Sequence, residues 1–155
     1  MKINIVCVGK KHADNLADAI FEYQNRLIKL GYKISWQIIS PGKGDQNNQI
    51  QQESKKILEV IRADDYVLLL DEDGTQQNNY LLAEMLQRIN NVGRYQRLVI
   101  IIGGAYGVSE DVKNKSDSIW SLSKLVFPHQ LVRLILVEQL YRSGCIINNH
   151  PYHHQ

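Results

Sequence analysis

The sequence predicts an α/β fold with a mostly parallel sheet and helices on both of its faces. Two observations carry that prediction. Apolar runs suited to strands alternate with helix-period stripes from one end of the chain to the other, the signature of successive strand–helix–strand units. The inner runs, YVLLL at 66–70 and LVIII at 98–102, are continuous rather than alternating, as expected of parallel strands covered on both sides.

The elements follow in order. KINIVCV at 2–8 is a β-rich run ended by Gly9 and reads as the first strand. Leu16, Ile20, Tyr23, Leu27 and Leu30 recur at steps of four, three, four and three. That is one face of an amphipathic helix, with Gly31 placed as its C-terminal cap. Ile34, Trp36 and Ile38 alternate with polar residues and predict a strand with one solvated face. PGKGDQNN at 41–48 reads as a polar, mobile loop. Ile50, Ile57, Leu58 and Ile61 then mark a second helix. After the YVLLL strand, Leu82, Met85, Leu86 and Ile89 mark a third. The LVIII strand runs straight into Gly103 and Gly104. Ser109, followed by Glu110 and Asp111, predicts a helix start with acids at the positive end of its dipole. Residues 118–121 predict a short fifth strand, and Pro128 leads a last helix from His129 to Ser143, ended by Gly144. No repeat, low-complexity stretch or linker interrupts this order, so residues 1–155 read as one domain.

Composition narrows the function without choosing it. A net charge of +2 permits an RNA partner, yet falls short of the charge density that grips bare nucleic acid by electrostatics alone. Cys7 and Cys145 lie far apart with no C-x-x-C spacing and read as buried, reduced thiols. Lys10, Lys11 and His12 interrupt any secretory apolar segment. No stretch approaches the ~20 apolar residues that span a bilayer. The reading is a cytoplasmic protein with no membrane partner.

In open parallel sheets, ligands bind beyond the carboxyl ends of the strands. Three segments fall there: Leu70-Asp71 with its loop, the run Gly103-Gly104-Ala105-Tyr106-Gly107, and residues 122–128. Spacing alone suits a tight strand-to-helix turn as well as a ligand loop. No Walker-type phosphate loop exists and the first strand lacks the dinucleotide fingerprint, which disfavours ATP and NAD by those routes. The C-terminal tail crowds His150, Tyr152, His153 and His154 together. A frayed polar end and a substrate-contacting tail both fit it, whereas a metal site lacks the partners to complete it. On the last helix Arg133 and Arg142 are nine residues apart, about 180° around the axis, so both cannot face the core. Glu138 and Arg142 have the spacing of a solvated i,i+4 pair.

LVIIIGGAYGVS, SLSKLVFPHQLVRLILVEQLYRS and the terminal NNHPYHHQ closely resemble the large-subunit ribosomal RNA methyltransferase H family. The opening KINIVCVGK matches that family's start, and the likeness runs over nearly the whole chain. The resemblance implies a SPOUT-class α/β fold with a C-terminal trefoil knot, which general topology rules would not suggest. It implies a homodimer whose active site combines both subunits. The implied methyl donor is S-adenosylmethionine. The implied substrate is a pseudouridine of 23S ribosomal RNA, methylated at ring nitrogen 3. Family contacts to the donor carry over onto Leu70, Gly103, Leu122, Ser123, Lys124, Leu125, Val126 and Phe127, the same three segments that sheet geometry nominates. His129, Arg142, Tyr152 and His153 are the implied residues for substrate positioning and proton handling, and no metal is implied. The family often has arginine or lysine where this chain has His154, which weakens a phosphate contact there and makes it pH-dependent. With no appended RNA-binding domain and little charge, the expected substrate is RNA within the ribosome, recognised by shape and position. The competing readings are a related knotted enzyme acting on transfer RNA, a non-catalytic nucleotide-binding module and a flavodoxin-like regulatory domain.

Overall fold

The computed structural model describes residues 1–152. Strands β1 (Lys2–Val8), β2 (Lys33–Ile39), β3 (Asp65–Gln76), β4 (Arg97–Ile102) and β5 (Ser118–Ser121) alternate with five helices. These are α1 (Asp14–Lys29), α2 (Gln46–Val60), α3 (Asn79–Asn91), α4 (Glu110–Lys115) and α5 (His129–Ile147). The strands lie in the order β2-β1-β4-β3-β5, and every pairing is parallel. All strand C-terminal ends therefore meet at one edge of the sheet.

Successive residues of a strand point to opposite faces, and here both faces are buried. Ile3, Ile5, Leu68 and Ile100 pack with Ile20 and Leu27 of α1, Leu82 and Leu86 of α3, and Leu136 and Leu140 of α5. Val6, Val67, Leu69, Val99 and Ile101 pack on the other side with Ile57 of α2 and Val112 of α4. The continuous apolar runs exist because β1, β3 and β4 have two dry faces, whereas the edge strand β2 is largely exposed. At the opposite edge from the site, the buried Asp65 carboxylate takes a forked pair of bonds, 2.6 and 2.9 Å, from Arg97. Arg97 also donates to the Val60 carbonyl at 2.7 Å, which ties α2 to the start of β3 and β4.

Four sequence expectations change. β3 continues past Leu70 to Gln76 because pairing with β5 resumes after a register shift: Leu70 and Thr75 both lie opposite Trp120. Residues 71–74 are pushed out as a bulge. The loop expected at 41–48 is shorter, since α2 starts at Gln46 with the Asp45 side chain accepting the Asn48 N–H at 2.8 Å. What remains of it is tied down, with Gly42 N–H donating to Glu53 at 2.8 Å and Gln49 donating to the Gly44 carbonyl at 2.7 Å. α5 does not end at Gly144 but runs on to Ile147. A Cβ at Gly144 would lie 3.0 Å from Leu30 Cδ1 and 3.1 Å from Tyr32 Cε2, so this glycine permits close packing inside the helix instead of stopping it. In β2, Ile39 rather than Ile38 reaches the core. Among the described residues no helix is long and apolar enough to cross a membrane.

Candidate active site

The bulge of β3, the glycine segment after β4 and the segment after β5 converge on a cavity of about 520 Å³. That lies within the ~300–1,000 Å³ of small-ligand sites. Leu70, Gly103, Leu122, Ser123, Leu125, Val126 and Phe127 all line it, and so does His129 at the start of α5. Asp71 and its loop, nominated from the sequence, line it through Asp71, Glu72 and Asp73, whereas Gln46, Trp120 and Val132, which also line it, were not singled out. The register shift that makes this loop a bulge leaves no mark in the sequence. Trp120 keeps its buried indole N–H without a partner among the described residues.

The glycine segment is shaped by crowding. A Cβ at Gly103 would meet Val108 Cγ1 at 2.9 Å, and one at Gly104 would overlap the Glu53 carboxylate. Glu53 is itself buried on α2. Gly107 sits at φ +80°, a left-handed conformation that side chains disfavour. The segment thus presents bare backbone to the cavity, as close approach to a ligand requires.

The segment after β5 is held by its own polar groups. Ser121 Oγ donates to the Ser123 carbonyl at 3.0 Å, and Leu125 N–H donates to Ser123 Oγ at 2.9 Å. Lys124 is not among the lining residues and donates to the Glu72 carbonyl at 2.9 Å, stapling this segment to the bulge of β3. Leu125 and Val126 are 71% and 82% exposed at the cavity rim.

Arg142 and Tyr152 are not brought to the cavity by the same chain. Arg142 pairs with Glu138 and lies with its guanidinium 5.0 Å from the Tyr152 ring centroid. Tyr152 Oη donates to Glu138 at 3.2 Å and shares a 3.1 Å hydrogen bond with Tyr23. The Glu138–Arg142 pair is half-buried under Tyr152, not the solvated pair that spacing suggested. Burial pushes the Tyr152 phenol well up, and its bonds to Tyr23 and Glu138 add to the effect. It stays protonated near neutrality and acts as a hydrogen-bond donor. Arg142 is held as a cation chiefly by its hydrogen bond to Glu138, against the cost of burial. Thirteen residues separate His129 from Arg142 along one helix, about 20 Å at 1.5 Å per residue. His153 lies outside the described residues.

Cys7 and Cys145 are both buried and free, and burial raises the Cys7 thiol above its usual range despite the nearby Arg133 charge. Among the described residues no three His, Cys, Asp or Glu side chains gather as a metal site would need.

A family described as "Predicted SPOUT methyltransferase" matches residues 1–153. The chain belongs to the SPOUT methyltransferase family. Relatives named "Ribosomal RNA large subunit methyltransferase H" include one from Christiangramia forsetii, 41% identical over the whole of both chains. Others are from Parabacteroides distasonis, at 38% over the whole of both chains, and Methylobacillus flagellatus, at 40% over the same extent. A solved structure of a probable methylase family protein from Haemophilus influenzae superposes on 99% of this chain and 70% of its own, with a TM-score of 0.55 and 15% identity. That likeness speaks for the fold alone. SPOUT methyltransferases as a class use S-adenosylmethionine. The cavity suits such a donor: bare glycine backbone for close approach, an apolar floor of Leu70 and Leu122, and carboxylates at Asp71–Asp73 beside which a sulfonium or ammonium charge is favoured.

Proposed function

We propose that this SPOUT methyltransferase transfers a methyl group from S-adenosylmethionine to ring nitrogen 3 of a pseudouridine in 23S ribosomal RNA, on the assembled ribosome in the cytoplasm. The observation that carries the reading is the convergence of three strand-end segments, Leu70–Asp73, Gly103–Val108 and Leu122–Phe127, on one donor-sized cavity. Relatives named as large-subunit ribosomal RNA methyltransferases support a ribosomal RNA substrate, and the pseudouridine and its ring nitrogen 3 follow from the resemblance to that family. Residues 1–155 act as one catalytic domain, and its C-terminal half carries the family's trefoil knot.

The active site combines two subunits of a homodimer. Support comes from the ~20 Å that one chain leaves between His129 and Arg142 along α5, too far for both to serve one base. A two-fold related copy supplies Arg142, Tyr152 and His153 to the cavity of its partner. When bound, the donor offers an electrophilic methyl on a positively charged sulfur, so that the N–CH3 bond forms as the S–CH3 bond breaks and the N3 proton is lost. The chain's part is placement: backbone of the glycine segment and of residues 122–127 holds the donor, with Lys124 bracing the loop against Glu72. In-line placement of base and methyl accounts for much of the rate. Arg142 stabilises negative charge developing on the base, Tyr152 donates a hydrogen bond, and His129 or His153 accepts the proton.

Calorimetry with S-adenosylmethionine and with ATP tests the cavity assignment. Binding of the methyl donor alone is expected. Preference for ATP would instead mark a nucleotide-binding module. Methyl transfer to assembled ribosomes but not to an isolated hairpin is the matching expectation for substrate, and equal transfer to both would refute recognition of the assembled particle.

A further inference from the structure

The segment between β1 and α1 is held in place by an unusual device. Arg133 on α5 is only 1% exposed, and none of the ion pairs among the described residues involves it. Its Nη1 donates to the Lys10 carbonyl at 2.8 Å and lies 3.4 Å from His12 Nδ1. Its Nε–H has no partner among the described residues. One turn earlier, Gln130 donates to the Lys11 carbonyl at 3.1 Å and accepts the Ala13 N–H at 3.0 Å. Gly9 N–H is tied to the Ile39 carbonyl at 2.9 Å.

Burying a guanidinium without a carboxylate is costly, and an apolar side chain of similar size would normally be tolerated better. The cost is understandable if a fixed loop and a positive potential are needed at this point. The loop's outward groups are Lys10 and Lys11, both exposed. Lys10 has no ion pair among the described residues, and Lys11 has only a 3.4 Å contact with the equally exposed Asp14, an attraction worth little in water. The loop also sits beside the cavity. β1 and β4 are neighbours with Cys7 opposite Ile102, so Gly9 emerges next to Gly104, one strand spacing away. Arg133 lies one turn beyond His129, which lines the cavity.

We propose that residues 9–13 form a preset phosphate-binding loop, in which Lys10 and Lys11 grip backbone phosphates of the RNA flanking the target base. Arg133 and Gln130 act as positioning residues: Arg133, which has no ion pair among the described residues and is too buried to touch a phosphate itself, fixes the loop backbone and adds positive potential beneath it. This rests on the proposed RNA methyl transfer. It adds a phosphate-gripping surface outside the donor cavity and outside the Arg142–Tyr152 cluster. Phosphates fix register and affinity without reading sequence, which suits a protein of modest net charge that recognises a structured target.

The test compares the wild type with the double variant Lys10→Gln/Lys11→Gln and with Arg133→Lys. Ribosome binding is measured by co-sedimentation across a salt series, donor affinity by calorimetry, and methyl transfer separately. The double variant is expected to bind ribosomes roughly tenfold more weakly. Its dependence of log K on log salt should be shallower by about one to two units, the share of two phosphate contacts. Donor affinity should be unchanged. Arg133→Lys keeps the charge but lacks the Nη1 donor that reaches the Lys10 carbonyl and His12, and it should weaken ribosome binding while its circular dichroism stays native. Unaltered binding and salt slope in the double variant would overturn the proposal. So would a loss of donor affinity, which would place the loop at the donor's carboxylate instead. A wild type that binds ribosomes but transfers no methyl would contradict the proposed reaction while leaving the loop comparison intact.

Discussion

A side chain at Gly104 would have to occupy the place of the Glu53 carboxylate, and Glu53 in turn accepts the Gly42 N–H at 2.8 Å. One position therefore connects the glycine segment, α2 and the loop that leads into α2. Gly104→Ala is expected to displace Glu53, shift the backbone at the cavity wall and lower donor affinity by roughly tenfold or more. Its cost in stability should be about 1–3 kcal/mol, typical of overpacking. Calorimetry and urea unfolding together check this, and intact donor affinity would show that the segment's backbone is not part of the donor site. At this scale the sequence was informative where chemistry is local. That Leu70, the glycines and residues 122, 123 and 125–127 would gather at one end of the sheet was legible because strand ends and bare backbone announce themselves. Asp71 and its loop were legible as a strand end but not as a bulge, and Trp120 was not singled out, since both depend on the register shift between β3 and β5. Arg133 was legible only as a residue that could not share a face with Arg142. Its burial without a carboxylate is a tertiary outcome.

Between elements, the clearest energetic claim concerns the far edge of the sheet. Asp65 has no exposed side-chain surface and depends on Arg97 for its counter-charge, with the Arg62 N–H adding a 2.7 Å bond. Arg97→Ala would strand that charge. The expected loss is about 3–5 kcal/mol of folding free energy, read by chemical denaturation, with donor affinity of the folded fraction unchanged because the pair lies at the opposite end of the strands. A loss below 1 kcal/mol would mean that water reaches Asp65. Element order and type were readable throughout, because parallel strands with two dry faces need continuous apolar runs and their crossover helices need stripes. Boundaries failed where glycine has two uses: Gly31 does follow α1, but Gly144 lies inside α5 to let Leu30 and Tyr32 approach. The loop at 41–48 read as mobile because its residues are polar and small. Its hydrogen bonds to α2 come from Glu53 and from Gln52 and Gln49, side chains that no local pattern assigns to it.

At the scale of the whole molecule, a single chain presents the strand-end cavity at one end of α5 and an Arg142–Tyr152 cluster well along it. The proposed homodimer resolves that separation, and it makes a definite forecast for mixed subunits. His129→Ala and Arg142→Ala proteins should each be nearly inactive alone. Refolded together, half of the dimers are mixed, and each of those holds one site with both native groups. Activity should return to about a quarter of the wild-type level. No recovery in a mixture shown by mass spectrometry to contain mixed dimers would mean that each site is built within one chain. The most direct test of the central claim uses labelled S-adenosylmethionine and assembled ribosomes lacking the modification, with the RNA digested and the labelled nucleoside identified by mass spectrometry. The account predicts label on a 23S pseudouridine carrying the methyl at ring nitrogen 3. Label on any other nucleoside, or on transfer RNA added to the same reaction, would contradict it.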